Sequence, residues 1–116
     1  MANAVLLIGW NRAVAGREQQ AMGLFQKGIE YYAKSQSEGK IESYEPVILS
    51  AHGGDLNGFI LVKGDAPKLS ELRREDAFIE NVIEAGYCLE GFGVIEGSIG
   101  ERITEIFSRY TKLIGK

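Results

Sequence analysis

The chain has 116 residues and a formal net charge of −3, from 13 basic and 16 acidic residues. This length suits a single domain, which we predict over residues 1–116, and a hydrophobic content of 45% is enough to build a core. The acidic balance, without any block of Lys or Arg, argues against nucleic acid or an anionic membrane as the main partner.

The cysteine and histidine content restricts metal and redox chemistry. Cys88 is the only cysteine, which excludes an intrachain disulfide and a cysteine-based zinc site. His52 is the only histidine and has no cluster of carboxylates beside it, so we expect neither a metal nor a cofactor. The amino-terminal run MANAVLLIGW has no basic segment and is too short to span a bilayer, which by default predicts a cytoplasmic protein.

Four segments have the composition of strands. Residues 4–10 and 59–62 are apolar at nearly every position, which predicts two strands covered on both faces. Residues 41–51 predict another strand, and Pro46 places it at a sheet edge because proline donates no ladder hydrogen bond. The glycine-rich stretch HGGDLNG then joins this strand to residues 59–62 as a β-hairpin. Residues 90–98 predict the fourth strand, and their three glycines suit the other edge.

Helical periodicity fills the intervening segments. Apolar residues recur at steps of three and four within residues 16–37, which predicts a helix with one buried face. A second helical region begins at residues 64–67, bends near Glu75 and ends at Gly86. A last helix is predicted over residues 101–114, again with an apolar stripe. The apolar positions of the first helix are Met22, Phe25, Ile29 and Tyr32, and those of the last are Ile103, Ile106, Phe107, Tyr110 and Ile114.

The order β-α-β-β-α-β-α predicts an α+β fold. Its first six elements form the ferredoxin-like βαββαβ unit, with one extra carboxyl-terminal helix. Right-handed crossovers place the first and third strands in the middle of a four-stranded antiparallel sheet. Two helices can cover only one face of this sheet, so the other apolar face needs a second cover. A homodimer formed through this open sheet face is the simplest solution.

On this element order, the two doubly apolar strands and the hairpin YEPVIL…HGGDLNGFILV, the sequence resembles the dimeric α+β barrel superfamily. The resemblance extends over residues 4–99 and includes YCII-like and antibiotic-biosynthesis-monooxygenase-like proteins. It implies ferredoxin-like protomers whose sheets pack face to face. The superfamily includes cofactor-free oxygenases, lactone isomerases, haem enzymes and proteins of unknown role, so the fold alone does not select a function.

The hairpin turn holds the first candidate site. His52 lies three residues before Asp55, so in a tight turn the carboxylate could orient the imidazole for proton transfer near neutral pH. The resemblance to YCII-like proteins, which have a proposed His–Asp dyad, favours a catalytic pair. The alternative is a solvated turn in which Asp55 binds turn amides and His52 lies outside.

Candidate ligand contacts follow the first strand and line the first helix. Trp10 could stack on a flat ligand, Asn11 could donate to an oxyanion, and Arg12 could hold a carboxylate. Tyr32 and Phe59 would add aromatic surface between the first helix and the sheet. The alternative is that the aromatic residues belong to the core, while the two polar residues cap or solvate a loop.

Three functional hypotheses follow. The protein binds a small apolar or aromatic metabolite between its helices and sheet, either as a binding protein or as a cofactor-free oxygenase or isomerase. Alternatively, it is a non-catalytic structural or interaction dimer. Haem or flavin binding is the third hypothesis. The lone histidine counts against it, because that residue lies outside every predicted helix.

Overall fold

A computed structural model describes residues 2–115 of the chain. The helices are α1 (Glu18–Ser37), α2 (Ala66–Leu72), α3 (Asp76–Cys88) and α4 (Glu101–Ile114). The strands are β1 (Ala4–Trp10), β2 (Arg12–Ala13), β3 (Ser43–Ile48), β4 (Gly58–Gly64), β5 (Leu89–Glu90) and β6 (Gly93–Ser98).

The main sheet has four antiparallel strands in the order β3-β4-β1-β6. The two strands predicted to be central are therefore central, and the strand that contains Pro46 is an edge strand. Leu6 pairs with Val62 of β4 and Leu7 pairs with Ile95 of β6, which fixes the register of the sheet. The predicted α+β fold class and the predicted strand order are both confirmed.

The two faces of the sheet have different surroundings, because strand side chains alternate between them. One face, here called the helix face, carries the core side chains Leu6, Ile8, Ile60 and Val62, which are at most 6% exposed. The helices α1, α2 and α3 contribute further residues to this core, among them Tyr32, Leu69, Leu72 and Phe78. Core packing therefore joins three helices to one face of the sheet.

The other face, here called the open face, has an apolar centre with no helix packed on it in the described chain. Its apolar residues are Val5, Leu7, Val47, Phe59, Leu61 and Ile95, which alternate with the helix-face positions. Ile95 is 62% exposed. The prediction that β1 and β4 are covered on both faces thus holds for one face within a single protomer.

Several boundaries differ from those predicted. The break near Glu75 is confirmed, since α2 ends at Leu72 and α3 begins at Asp76. However, α3 does not end at Gly86 but continues to Cys88, because Ala85 and Cys88 are buried and hold its last turn against α1. The predicted fourth strand is interrupted at Gly91, whose φ of +65° suits glycine. Its first residue, Glu90, pairs instead with β2, together with the preceding Leu89, in a short ribbon.

The last helix, α4, projects from the body of the protein. None of its residues, all within the described range, is buried, and the radius of gyration is 16.0 Å, against about 13 Å for a compact chain of this length. Among the described helices, none is both long enough and apolar enough to cross a membrane.

Candidate functional site

A cavity of about 460 Å³ opens between α1, α3 and the helix face of the sheet. Ile8 and Ile60 of the central strands lie at its base, and Val82 and Ala85 border it from α3. Aromatic residues form much of the remaining wall: Trp10, Phe25, Tyr32, Phe78 and Phe92. Ligand sites typically have volumes of about 300 to 1,000 Å³ and mostly apolar walls, so this cavity has the size and chemistry of a small-molecule site.

Trp10 is held in this wall by close contacts on two sides. Its indole packs edge to face on Phe25 of α1, with ring centroids 5.9 Å apart and an interplanar angle of 75°. On the other side it lies directly over Gly58, where an added Cβ would be 2.7 Å from the indole Cζ2 atom. Only glycine accepts this approach without displacing the ring. The position of Trp10 in the aromatic wall therefore depends on Gly58, its partner on the neighbouring strand.

Tyr32 borders the cavity from α1 and is 5% exposed. Its ring packs against those of Tyr31 and Tyr44, at centroid distances of 5.2 Å and 6.4 Å. Burial raises the pKa of the Tyr32 phenol well above its ordinary value of 10.0. The phenol is therefore neutral at physiological pH and supplies one polar atom in a largely apolar environment.

Polar side chains in the lining are few, and we did not predict them from the sequence. Glu18, Gln26 and Asn81 border the cavity, and Glu18 accepts a hydrogen bond from the Gly16 amide at 2.9 Å. Among the lining residues that the structure describes, none is Lys, Arg or His. Asn81 had a recognisable signal, because it lies on the α3 face that also carries Phe78, Val82 and Ala85. A polar residue within an apolar helical stripe indicates a position where a hydrogen bond to a ligand or to a neighbouring group is needed.

His52 and Asp55 lie outside the cavity, in the exposed loop between β3 and β4. The His52 ring folds back over Gly54 and its Nε2 atom is 2.8 Å from the Leu56 carbonyl oxygen. Within residues 2–115, no hydrogen bond or ion pair joins the imidazole to the Asp55 carboxylate. This geometry matches the alternative of a solvated turn, and the catalytic role of the pair stays a prediction.

Asn11 and Arg12 are also engaged away from the cavity. The Asn57 side-chain amide donates to the Asn11 Oδ1 atom at 2.6 Å, and the Asn57 backbone amide donates to the Trp10 carbonyl at 3.0 Å. Arg12 Nε lies 3.2 Å from Glu90 Oε1 across the short β2–β5 ribbon. Asn11 therefore joins the hairpin loop to the end of β1, and Arg12 has a carboxylate partner already.

Phe59 does not line the cavity, contrary to our expectation. It pairs with Gly9 and Val47 and belongs to the open face, whereas its neighbours Gly58 and Ile60 belong to the helix face. The error has a simple cause, since a continuous apolar run does not reveal which residues point to which side of a sheet. Any role of Phe59 as a ligand contact would have to be on the opposite face from Trp10 and Tyr32.

The surroundings of Cys88 lower its reactivity, and the described carboxylates form no metal-binding group. The Cys88 thiol is fully buried beside Leu24 and Ala85, and burial, followed by the nearby Glu84 charge, raises its pKa. A raised pKa lowers the thiolate fraction and so the reactivity of the thiol. Residues 2–115 contain no group of three His, Cys, Asp or Glu side chains arranged to hold a metal ion.

Comparisons with known proteins bear on the fold. No protein-family model matches the sequence, and no curated protein matches it. The chain is similar to the crystal structure of a dimeric protein of unknown function and ferredoxin-like fold from Bacteroides fragilis NCTC 9343. The TM-score is 0.58, and the match covers 83% of this chain and 96% of that one at 12% sequence identity. The chain has the ferredoxin-like fold. At this identity the likeness concerns the fold alone. In this chain the elements β1, α1, β3, β4, the α2–α3 pair and β6 form the ferredoxin-like unit.

Proposed function

We propose that the protein binds a small, neutral, apolar or aromatic molecule in the cavity between α1, α3 and the sheet. The observation that carries this proposal is the cavity itself, about 460 Å³ in volume and bordered by Trp10, Phe25 and Phe92. An aromatic-walled cleft of this volume, open on one side, has the shape and chemistry of a site in which small molecules bind.

The charges around the cavity define the ligand class. An acidic ligand would find no cation among the described lining residues, and Glu18 would repel it. A neutral ligand could bury its rings against Trp10 and Phe25 and use the Asn81 or Gln26 amide for orientation. Burial of apolar surface would supply most of the affinity, at roughly 25 cal/mol per Å² before the cost of association.

We limit the proposal to binding rather than turnover. The YCII-like and monooxygenase-like proteins that the sequence resembles motivate a cofactor-free oxygenase or isomerase, in which a polar group acts on the bound molecule. Here His52 and Asp55 lie outside the cavity, and Asn11 is bonded to Asn57. Turnover would need a proton acceptor beside the ligand, and Glu18 is the one described carboxylate in the lining.

A titration with the neutral fluorescent probe N-phenyl-1-naphthylamine tests the proposal, because its emission rises in an apolar site. Gly28 borders the cavity in the middle of α1, and an added Cβ there would meet no atom within 4 Å. We expect Gly28→Phe to fill the cavity and to weaken probe binding at least tenfold, a difference of about 1.4 kcal/mol. Gly23→Phe is the matched control, since Gly23 lies on the same helix, has equal space and does not line the cavity.

Each outcome of this titration is decisive. Saturable binding to the wild-type chain and to Gly23→Phe, with loss in Gly28→Phe, would support the cavity as the site. Equal binding to all three proteins would place the probe elsewhere and would refute the proposal. The absence of saturable binding to the wild-type protein, with near-ultraviolet circular dichroism showing a packed core, would refute it as well.

A second candidate role, self-association as a homodimer, is favoured by a separate observation. The open face exposes a contiguous apolar surface that includes Leu7, Leu61 and Ile95, and large patches of this kind mark interaction surfaces. The similar protein from Bacteroides fragilis is described as dimeric. A two-fold arrangement would cover this face on both protomers at once.

Sedimentation equilibrium of paired variants tests the dimer. Ile95→Lys places a charge on the open face, and Ile83→Lys is its control on the outer side of α3, where Ile83 is 68% exposed against 62% for Ile95. Because a two-fold interface contains each residue twice, we expect Ile95→Lys to raise the dimer dissociation constant about a hundredfold. Equal effects of the two variants, or a monomeric wild-type chain at 100 µM, would refute the proposed dimer.

A further inference from the structure

The last helix carries an apolar surface that belongs to neither core cluster of residues 2–115. Six residues on one side of α4, here called the α4 stripe, are 37% to 77% exposed. They are Ile103, Ile106, Phe107, Tyr110, Leu113 and Ile114. Isolated helices of about 12 to 15 residues are marginally stable in water, and α4 has 14 residues. An ordered α4 with this stripe therefore requires a surface to pack against.

The connection before α4 directs the helix away from its own sheet. The Ile99 amide donates to the Asn3 carbonyl at 3.1 Å, so the end of β6 stays attached to the start of β1. Gly100 follows with φ +62° and ψ −134°, a conformation that residues with a side chain rarely adopt. The outward course of α4 is thus encoded by a glycine directly before the first residue of the helix.

We propose that α4 is an exchanged arm, whose stripe packs on the open face of a second copy of the chain. This inference rests on the proposed dimer and names the element that covers part of each open face. Each protomer has one uncovered sheet face and one uncovered helical stripe, and a two-fold axis pairs the stripe of one copy with the face of the other. Each copy then covers the stripe of the other with part of its open face, and the rest of the two faces packs sheet against sheet in the same closed assembly.

The available area is close to what a stable dimer needs. Four strands about 4.8 Å apart and about seven residues long form a face of about 440 Å². The stripe, about 21 Å long and about 10 Å wide, adds about 210 Å². The sum of about 650 Å² is the area of a flat projection. Side chains make the real surface uneven, so the accessible area is larger and closer to the roughly 800 Å² that each partner contributes to a typical stable interface. The face or the stripe alone would fall well below this value.

A lipid surface fits α4 less well than a second copy does. The polar side of α4 carries Arg102, Arg109 and Lys112 together with Glu101 and Glu105, so its net charge is only +1. Helices that lie on anionic membranes usually have a strongly basic polar side. The open face of a second copy, by contrast, is apolar in its centre and carries both Glu45 and Lys63.

Point variants of the full-length chain test the arm separately from the dimer. Phe107→Asp changes the stripe, and Ser108→Asp adds the same charge to the other side of the helix. We expect Phe107→Asp to raise the dimer dissociation constant at least about thirtyfold in sedimentation equilibrium, and Ser108→Asp to change it less than threefold. A dimer that Ile95→Lys disrupts but Phe107→Asp leaves unchanged would overturn the arm and leave the proposed dimer standing. A monomeric wild-type chain would overturn both.

Crosslinking gives a second measurement that does not depend on affinity. In a Cys88→Ala background, one preparation carries Leu61→Cys on the open face and another carries Tyr110→Cys on the stripe. After the two are mixed and oxidised, we expect a disulfide-linked heterodimer between them, whereas Ile83→Cys mixed with Tyr110→Cys should give none. Equal crosslinking of both mixtures would overturn the proposal. Binding to phosphatidylcholine–phosphatidylglycerol vesicles, measured by sedimentation, would also overturn the proposal if Phe107→Asp abolished that binding and left the dimer unchanged.

Discussion

Replacing Tyr31 with phenylalanine removes one hydroxyl from a network that joins α1 to the α2–α3 junction. The Tyr31 hydroxyl donates to Glu75 Oε1 at 2.7 Å, and Lys40 Nζ lies 2.9 Å from Glu75 Oε2. Glu75 is also the residue that precedes the first turn of α3, where the partial positive charge of the helix terminus favours a carboxylate. The network therefore holds the bend between α2 and α3 against α1.

The size of the effect follows from the character of this hydrogen bond. Hydrogen bonds to charged groups contribute about 1.5 to 3 kcal/mol when desolvated, and the Glu75 side chain is 30% exposed. We therefore expect Tyr31→Phe to lower the free energy of unfolding by about 1 to 2 kcal/mol at pH 7. In a Glu75→Gln background the same substitution should cost less, which gives a coupling energy of about 1 kcal/mol.

The pH dependence provides a second, independent check. The Tyr31 hydroxyl, and next the Lys40 ammonium, lower the pKa of Glu75 below its ordinary value of 4.5. A carboxyl with a lowered folded-state pKa contributes stability above its ordinary pKa and loses that contribution as the pH falls through the folded-state value. The deficit of Tyr31→Phe should accordingly shrink between about pH 5 and about pH 3 in urea titrations. A deficit below 0.3 kcal/mol at pH 7, or one that stays constant down to pH 3, would refute this reasoning.

Three further predictions concern the core, the alkaline limit and the hairpin loop. Leu72→Ala, at a position 1% exposed, should lower the free energy of unfolding by about 2 to 5 kcal/mol in urea titrations, and a cost under 1 kcal/mol would contradict the assigned core. Burial raises the pKa of Tyr32, so its contribution is complete below the ordinary value of 10.0 and is lost as the pH rises further. The free energy of unfolding should therefore fall less steeply with rising alkaline pH in Tyr32→Phe, by up to about 1.4 kcal/mol per pH unit. An unchanged slope would count against the burial of the Tyr32 phenol. His52→Ala should leave the affinity for N-phenyl-1-naphthylamine within twofold of wild type, because His52 lies outside the cavity. A tenfold loss of affinity would indicate that His52 belongs to the binding site.

Sequence patterns were sufficient for the strand order because two different signals agreed. Continuous apolar runs marked β1 and β4 as central, and Pro46 marked β3 as an edge. The β2–β5 ribbon was missed because two-residue strands have no periodicity. The carboxyl end of α3 was missed because a local breaker, Gly86, was overruled by the tertiary burial of Cys88.

The candidate site was predictable only in part. Trp10 and Tyr32 were expected between α1 and the sheet, and both border the cavity. The cavity itself depends on how far α1 and α3 stand from the sheet, which no local pattern of residues specifies. Asn81 could have been found from its position in the apolar stripe of α3. The bond between His52 and the Leu56 carbonyl depends on a loop conformation in which Gly53 has φ +82°.

Energy transfer from Trp10 to bound N-phenyl-1-naphthylamine is the most direct test of the proposed binding cavity. Trp10 is the only tryptophan in the chain and borders the cavity, so its emission reports on a probe bound nearby, and the Gly28→Phe variant separates the cavity from other sites within the range of energy transfer. We predict that Trp10 emission is quenched to a plateau at one probe molecule per chain, and that Gly28→Phe abolishes this quenching while Gly23→Phe preserves it. Probe emission that rises without quenching of Trp10, or quenching that is identical in Gly28→Phe, would contradict the proposed function.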